Sequence, residues 1–421
     1  MYRAILVLVL LGCLNACSGE SDKLDVPPAS DNALQPEGFA WWSRAAIDAY
    51  ARFSVWRGER SGYIVMLARD GVPLYSKAVG WQDIEKRLPL TVDTQVNIAS
   101  MTKPIAAVAA MILIERGMLG LDDRVSSYIP EFADLRVAVS EEPGEGGGWE
   151  SKPAEKVMRI RHLLMFSSGI GPGLDTSSAL VNHWNEHSIY KQASGDLDAR
   201  VVRLAQLPLL EEPGTRWRYG YSADVLAVVV ERVSGQSIAE FFEENIFQPL
   251  GMKDTRYPLP ETDLSNVATI YTQNSEGDLV LANEWVRDWT PGGGGLLSTV
   301  GDYMRFALML YNGGEYQGER ILLRSTVEEM IRLHVPAGVL ADGDVEGIGW
   351  GLGMAVVADE EASITPDRTG DYWWSGYYGT TFVVSPSTGL VAVAISQNEP
   401  SEFSGLPTGI YIIQGIAYAG M

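Results

Sequence analysis

Hydrophobic and polar residues follow two different periodicities along the chain, and the change between them falls near residue 100. Residues 63–78 alternate like two strands joined at an Asp-Gly dipeptide, which is typical of a tight hairpin turn. From residue 102 the pattern is that of a long apolar helix, with Pro104 where a first-turn proline is tolerated and Gly117 at its end. The chain is therefore predicted to begin a sheet and then to enter a helical region.

The helical pattern continues through the middle of the chain, and strands return near the C-terminus. Helices are predicted at 160–165, 198–205, 224–233, 238–246, 303–311, 325–333 and 409–418, and strands at 349–357, 380–386 and 389–397. Strands at both ends predict an α+β fold of the α/β sandwich type, an antiparallel sheet flanked by helices. Within one domain at 41–421, the sheet comes from about 41–99 and 335–421, and a mainly helical lobe is inserted at about 100–334.

The first 40 residues differ from the rest in composition. Arg3 and the apolar run at 5–14 predict a signal peptide at 1–17, because the run is too short to span a bilayer stably. Leu-Asn-Ala-Cys at 14–17 is similar to a bacterial lipobox that would lipidate Cys17; an ordinary secretory signal is the alternative. Residues 18–40 are typical of a flexible linker. The expected location is the periplasm of the cell envelope, with the lipid anchor as the only membrane association.

Charge and cysteine content argue against two classes of function. The chain has 54 acidic and 32 basic residues, a net charge of −22, and no basic patch, so nucleic acid is not an expected partner. Its two cysteines, Cys13 and Cys17, both lie in the predicted signal peptide, so no disulfide and no cysteine-based zinc site is expected. The four histidines lack the HExxH arrangement and are expected to be structural or at the surface. No metal or other cofactor is predicted.

The candidate chemistry begins at Ser100, three residues before Lys103 in the pattern S-x-x-K. Residues three apart share a helix face, so the serine hydroxyl would lie against the lysine amine. The amine can take the serine proton if burial or nearby positive charge favours its neutral form. The spacing alone is weak, because Ser188 and Lys191 repeat it in a polar stretch typical of a surface. A helix N-cap is the alternative role for Ser100.

Five segments together resemble the superfamily of serine β-lactamases and penicillin-binding proteins. They occur along the chain in the same order as in that superfamily and cover roughly residues 45–400. They are the region around Ser100, residues 160–171 (IRHLLMFSSGIG), Glu212-Pro213-Gly214-Thr215 with Trp217 and Tyr219, GGGGLLSTVGDYMRF from Gly292, and GWGLGM from Gly349. The similarity is greatest to the branch of class C β-lactamases and family VIII carboxylesterases. It implies a hydrolase whose active site lies in a cleft between the sheet and the helical lobe.

The resemblance also implies that a tyrosine joins the proton relay, from a motif that is normally Y-x-N. Tyr219 matches this tyrosine, because residues 225–233 correspond to the helix that follows it; Tyr221 is the second choice, and a core aromatic is the alternative for either. The Tyr219 hydroxyl would receive the serine proton and deliver it to the leaving group. Tyr221 stands where the motif has asparagine, so the substrate-orienting amide is missing and Tyr221 becomes a candidate substrate contact.

The third motif of the superfamily, K-T-G or H-x-G on a strand lining the cleft, aligns with Trp374-Ser375-Gly376 and is similar to the W-G-G version of the esterase branch. Glycine lets the strand backbone approach the acyl group closely. The resemblance implies that the backbone N–H groups of Ser100 and Tyr377 form the oxyanion hole. A strand with a purely structural role is the alternative.

Trp374 also bears on the substrate. A β-lactam or a peptide C-terminus presents a carboxylate, and in this chain tryptophan replaces the lysine that would bind it. Trp373, Trp374, Tyr377 and Tyr378 instead suit an apolar or aromatic group. The sequence therefore predicts a serine hydrolase with an acyl-enzyme on Ser100, a carboxylesterase for small esters. A β-lactamase or D-amino-acid peptidase, and a non-catalytic envelope binding protein, are the alternatives; the oligomeric state stays open.

Overall fold

Strands from both ends of the chain meet in one antiparallel sheet. The computed structural model describes residues 24–31, 39–172, 178–191, 195–282, 288–336, 346–363, 365–400 and 408–421. Its strands are β1 (Ser30–Asp31), β2 (Gly62–Arg69), β3 (Val72–Asp83), β4 (Leu88–Pro89), β5 (Val96–Asn97), β6 (Arg136–Ala138), β7 (Ser151–Pro153), β8 (Tyr271–Gln273), β9 (Leu279–Leu281), β10 (Leu297–Ser298), β11 (Glu315–Tyr316), β12 (Glu319–Arg320), β13 (Ile348–Trp350), β14 (Ala355–Val357), β15 (Tyr372–Gly376), β16 (Thr380–Val384) and β17 (Leu390–Ile395). The main sheet has the order β1-β3-β2-β17-β16-β15-β14-β13, with β4 paired to β3. The predicted fold class, an antiparallel sheet flanked by helices, is confirmed.

Helices cover both faces of this sheet. They are α1 (Trp41–Trp56), α2 (Thr102–Glu115), α3 (Ile160–Leu164), α4 (Ala179–Glu186), α5 (Leu197–Leu204), α6 (Ser222–Ser234), α7 (Ile238–Phe242), α8 (Gln248–Leu250), α9 (Val300–Tyr311), α10 (Arg324–Ile331) and α11 (Thr408–Gly420). In the central strand β17, Val391 and Val393 join the core that contains α9, whereas Ala392 and Ala394 join the core formed with α1 and α11. All six residues of β17 are buried because both faces are covered.

The local patterns gave several elements correctly. The predicted hairpin is β2 and β3, with Asp70 at φ +50° and Gly71 at φ +81° in the turn. The predicted helices at 160–165, 198–205 and 224–233 correspond to α3, α5 and α6. The predicted helices at 303–311, 325–333 and 409–418 correspond to α9, α10 and α11. Helices α1 and α4 were not predicted.

Part of the predicted flexible linker lies against the sheet. Ser30 and Asp31 pair with Ala78 and Lys77 of β3, and the Trp81 indole N–H donates to the carbonyl of residue 25 at 2.9 Å. Strand β1 thus covers the edge of β3, which would otherwise present unpaired backbone groups. The predicted signal peptide at 1–17, with its lipidation site Cys17, lies outside the described residues. Within the described part of the chain, no helix combines the length and apolar character needed to cross a bilayer.

Two carboxyl groups are buried beneath the C-terminal helix. Asp367 and Asp371 are 1% and 0% exposed. The Gln414 side-chain amide donates to Asp367, and the Tyr418 hydroxyl donates to Asp371. Burial raises the pKa of both carboxyl groups, that of Asp367 to about 6. The folded state therefore holds these protons to higher pH than the unfolded chain does.

The variant Asp367→Asn is expected to remove a pH dependence of stability. Because burial raises the folded-state pKa of Asp367, the stability that its protonated form contributes is fully present below the ordinary pKa of 3.8 and is lost as the pH rises through about 6. The two proteins should differ least in acid, and at neutral pH the free energy of unfolding of the variant should be higher by roughly 2 kcal/mol. Urea unfolding at a series of pH values measures this difference. A difference that stays constant with pH would contradict the prediction.

Candidate active site

The candidate nucleophile lies in a 3₁₀ turn between β5 and α2. Ala99 has φ +45°, its N–H donates to Asn97 Oδ1 at 2.8 Å, and its carbonyl accepts from the Thr102 hydroxyl at 2.8 Å. Ser100 follows in this turn and is partly exposed. The N-cap of α2 is Met101, and no side chain caps that helix. The Ser100 hydroxyl is therefore not a helix cap, which was its alternative role.

Two side chains donate hydrogen bonds to Ser100 Oγ. Lys103 Nζ lies at 3.1 Å and the Tyr219 hydroxyl at 2.7 Å. Lys103 is 5% exposed, its Nζ also donates to the Gly293 carbonyl, and Nζ lies 4.8 Å from the centroid of the Tyr219 ring. The structure thus brings together the three side chains that the sequence singled out. Tyr219, and not the second choice Tyr221, reaches the serine.

Contacts with the segment after α3 hold the loop that carries Tyr219. The Arg218 N–H donates to the Phe166 carbonyl at 2.7 Å. Gly220 lies so close to Ile170 that a Cβ would be 2.3 Å from the Ile170 carbonyl oxygen. Phe166 has φ +53°, and its ring is stacked on the Tyr219 ring at a centroid distance of 5.8 Å and an angle of 11°. Two of the segments that carried the family resemblance therefore pack on each other and fix the phenol.

Strand β15 approaches the turn before the nucleophile at Gly376. A Cβ at Gly376 would lie 2.4 Å from the Ile98 carbonyl oxygen and 2.3 Å from Thr380 Oγ1. The Thr380 hydroxyl itself donates to the same Ile98 carbonyl at 3.1 Å. Trp374, two residues earlier, has its ring centroid 5.6 Å from that of Tyr219. The close approach of β15 thus depends on the glycine, and it brings the indole of Trp374 to the phenol.

The other predicted contacts on and after β15 differ in exposure. Ser375 and Tyr378 are partly exposed, and Tyr377 is 57% exposed with its ring centroid 5.3 Å from that of Tyr378. Trp373 is only 8% exposed and contacts Tyr411 of α11 at 6.2 Å between centroids. Trp373 therefore packs toward the C-terminal helix, while Tyr377 and Tyr378 present aromatic surface to solvent.

The serine of the second S-x-x-K segment is buried, not at the surface. Ser188 is 7% exposed, and its side chain hydrogen-bonds with Tyr221. Tyr221 is 6% exposed, lies 6.4 Å from the Trp184 ring centroid, and has its pKa raised by burial to about 12. The interpretation of Ser188 as a surface residue was wrong. Tyr221, predicted as a substrate contact, belongs to this buried cluster.

Sequence reasoning missed Asp224, which lies in the first turn of α6 and is 1% exposed. Its Oδ1 accepts from the Gly293 N–H at 2.9 Å. A carboxylate inside the apolar run between Ala223 and Val225 was the signal that could have identified it, because buried carboxylates are rare without a partner. The glycine stretch from Gly292 had been noted only for its family resemblance.

Among the described residues, one group of side chains has donor atoms placed for a metal ion. His183, Glu186 and His187 at the end of α4 have ligand atoms within 4.8 Å of one another. His183 is partly buried and its ring centroid lies 5.4 Å from that of Trp149, whereas Glu186 and His187 are exposed. This group lies at the surface, and the chemistry available to Ser100 does not require a metal.

The variant Gly376→Ala is expected to impair chemistry at Ser100 while leaving most of the fold in place. Its Cβ would overlap the Ile98 carbonyl and push β15 away from the nucleophile turn. Moving a catalytic group by about 1 Å can lower kcat/KM by about 10²-fold, and we expect a loss of this order. Steady-state kinetics together with thermal unfolding test this expectation. The matched control is Gly148→Ala, since a Cβ at Gly148 meets no atom within 4 Å; equal kinetics for both variants would contradict the prediction.

Fold and side chains together define a hydrolase with the β-lactamase fold. The sequence model of the beta-lactamase family matches residues 44–415, and the chain belongs to this family. The superfamily resemblance noted from the motifs is thereby confirmed.

Characterised proteins with similar chains include esterases. Esterase EstB of Burkholderia gladioli is 29% identical over 366 residues, which cover 82% of this chain and 88% of EstB. The structure of EstCE1, described as a hydrolase with promiscuous acyltransferase activity, has a TM-score of 0.76 and 26% identity and covers 90% of this chain and 99% of EstCE1. Simvastatin synthase LovD of Aspergillus terreus has a TM-score of 0.74 at 23% identity, covering 90% of this chain and 98% of LovD, and shows the shared fold.

Proposed function

We propose that the protein is a serine carboxylesterase that forms an acyl-enzyme on Ser100. One observation carries the proposal: Lys103 Nζ and the Tyr219 hydroxyl both lie within hydrogen-bond distance of Ser100 Oγ. A serine hydroxyl is a weak nucleophile until a neighbouring base takes its proton. Two groups that can carry protons at one serine supply a base for attack and an acid for the leaving group.

Acylation then proceeds in balanced steps. Ser100 Oγ attacks the ester carbonyl carbon and forms the new C–O bond, while its proton passes to Lys103. The carbonyl oxygen becomes an oxyanion, which the backbone N–H groups of Ser100 and Tyr377 stabilise. As the tetrahedral intermediate collapses, the bond to the alcohol oxygen breaks and that oxygen takes a proton from Tyr219. Tyr219 recovers its proton from Lys103.

Deacylation repeats these steps with water as the nucleophile. Water attacks the carbonyl of the acyl-enzyme and gives a proton to the Lys103 and Tyr219 pair, and Ser100 leaves with that proton. The product is a carboxylic acid, and the enzyme returns to its starting state. No cofactor takes part in either half of this cycle.

The surroundings of the serine favour an ester. Trp374 lies beside Tyr219 at the position where the resemblance expects the lysine of K-T-G, so the motif offers no cation to a substrate carboxylate. The neighbouring rings of Tyr377 and Tyr378 present aromatic surface that suits an apolar or aromatic group, and the indole of Trp374 adds apolar surface beside Tyr219. The name of EstB as an esterase supports the same choice.

Acyl transfer to an alcohol is a second candidate. It is favoured by the description of EstCE1 as a hydrolase with promiscuous acyltransferase activity. In this reaction an alcohol oxygen, in place of water, attacks the acyl-enzyme, and the product is a new ester. Adding a small alcohol to the assay distinguishes the two outcomes, because transfer yields an alkyl ester and hydrolysis yields only the acid.

A substrate panel on one protein preparation tests the proposal. It consists of p-nitrophenyl esters of increasing acyl length, nitrocefin and D-alanyl peptides, together with a fluorophosphonate probe and mass spectrometry of the labelled peptide. We expect the esters to be hydrolysed fastest and the label to lie on Ser100. Faster turnover of nitrocefin or of the peptides would support the amide-hydrolase alternative. A folded protein with neither turnover nor label would support the binding-protein alternative.

We also propose that the protein works in the bacterial cell envelope, anchored by a lipid on Cys17. This proposal is supported by the Leu-Asn-Ala-Cys sequence at 14–17 after an apolar run. A location outside the cytoplasm would give the enzyme access to esters that enter from the surroundings.

A further inference from the structure

Asp224 occupies a buried position directly behind the catalytic lysine. It is 1% exposed, Oδ1 accepts from the Gly293 N–H at 2.9 Å, and Oδ2 is buried with no hydrogen-bond partner among the described residues. A buried carboxylate oxygen without a partner carries a substantial desolvation cost. A residue that carries this cost in the buried first turn of a helix is a candidate for a functional role.

The glycine stretch after Pro291 is shaped to receive this carboxylate. A Cβ at Gly293 would lie 2.5 Å from Asp224 Oδ2, and a Cβ at Gly292 would lie 2.4 Å from the Ala223 carbonyl oxygen. The backbone of the stretch can therefore rest on the first turn of α6 only because these residues lack side chains. The carbonyl of the same Gly293 accepts from Lys103 Nζ. One residue thus connects Asp224 with Lys103.

Charge couples the two groups as well. Burial raises the pKa of Asp224 to about 6, and the positive charge of Lys103 acts in the opposite direction. Tyr221 and Tyr257 also face the carboxylate, and burial raises the pKa of both phenols, so they stay neutral. In its ionised form the Asp224 carboxylate attracts the ammonium form of Lys103.

We propose that Asp224 is a positioning residue for Lys103: it anchors Gly293, whose carbonyl holds Lys103 Nζ beside Ser100, and its negative charge attracts the lysine ammonium. This inference rests on the proposed function, in which Lys103 takes the serine proton. It assigns the placement of the lysine to a residue outside the three-residue centre of Ser100, Lys103 and Tyr219.

Two substitutions separate the hydrogen bond from the charge. Asp224→Asn keeps an oxygen that can accept from the Gly293 N–H but removes the charge, whereas Asp224→Ala removes both. Loss of the charge makes the ammonium form of Lys103 less favourable, so the acidic limb of the pH profile of kcat/KM should move about one unit to lower pH in both variants. The plateau of the profile should stay within about tenfold in Asp224→Asn and fall by about 10²-fold in Asp224→Ala, because the anchor is lost.

Asp302→Asn is the matched control. Asp302 is also a buried carboxyl in the first turn of a helix, α9, and it accepts the Asp254 N–H at 2.8 Å. Its substitution should leave the acidic limb where it is in the wild type. Thermal unfolding of each variant establishes that the protein compared is folded. An acidic limb at the same pH in Asp224→Asn and in the wild type would identify a structural role only and would overturn the proposal.

A readout without turnover keeps this inference separate from the esterase proposal. The side-chain ammonium signals of isotope-labelled lysine, assigned with Lys103→Met, report the titration of Lys103 directly by NMR. In Asp224→Asn the midpoint of this titration should move to lower pH, and an unchanged midpoint would overturn the role of Asp224. If no ester is hydrolysed by the wild type, the esterase proposal fails while this titration still decides the role of Asp224.

Discussion

Ser100→Ala is expected to lose ester hydrolysis by about 10⁴-fold or more, because no covalent intermediate can form without the hydroxyl. The fold should be unaffected, since the hydroxyl caps no helix and its hydrogen bonds are those to Lys103 and Tyr219. The rate with a p-nitrophenyl ester and the stoichiometry of fluorophosphonate labelling measure the loss.

Ser188→Ala is the control for the nucleophile. It removes the serine of the second S-x-x-K segment, whose side chain hydrogen-bonds with Tyr221. We expect this variant to be labelled with the same stoichiometry as the wild type. Full labelling of Ser100→Ala, or loss of labelling in Ser188→Ala alone, would identify Ser188 as the nucleophile.

Lys103→Met is expected to slow acylation by about 10²- to 10⁴-fold, which is the contribution typical of general base catalysis. Methionine keeps a buried apolar stem but lacks the amine that contacts Ser100 Oγ and the Gly293 carbonyl. Pre-steady-state release of p-nitrophenol isolates the acylation step from deacylation. The unfolding midpoint should fall, because removal of the ammonium leaves the buried Asp224 carboxyl group without the positive charge it faces. The rates are therefore compared at a temperature well below the unfolding transition of the variant.

The lysine of the second segment provides the matched control. Lys191 is exposed, and Lys191→Met should acylate at the wild-type rate. A rate for Lys103→Met equal to that of Lys191→Met would remove Lys103 from the mechanism and leave Tyr219 as the proton acceptor.

The parts of the site that depend on sequence neighbours were predictable. Residues three apart share one face in helical turns, and Ser100 of the 3₁₀ turn contacts Lys103 of the first turn of α2, as the spacing predicted. The hairpin at Asp70 and Gly71 likewise follows from a dipeptide that tolerates positive φ. Tyr219 came from the family resemblance, because 119 residues separate it from Ser100.

The parts that depend on distant partners were not predictable. In α1, Trp41 is 74% exposed while Ser43 is fully buried, since its hydroxyl donates to the Ile416 carbonyl of α11 at 2.7 Å. Polarity along this helix therefore does not mark its buried face. Ser188 and Asp224 were missed for the same reason: a polar residue whose partner lies far along the chain has the sequence signature of a surface residue.

The neighbouring positions of β2 and β17 determine when the chain can fold. Ile64 pairs with Ile395 and Arg69 with Leu390, so the centre of the sheet joins segments from opposite ends of the polypeptide. A nascent chain that still lacks β17 carries β2 with an open edge, which is a template for aggregation. Contacts between such remote residues give a high contact order and slow folding. We therefore expect the sheet to close only after synthesis has passed the last strand, and chains shortened before it to expose the edge of β2 to chaperones and proteases.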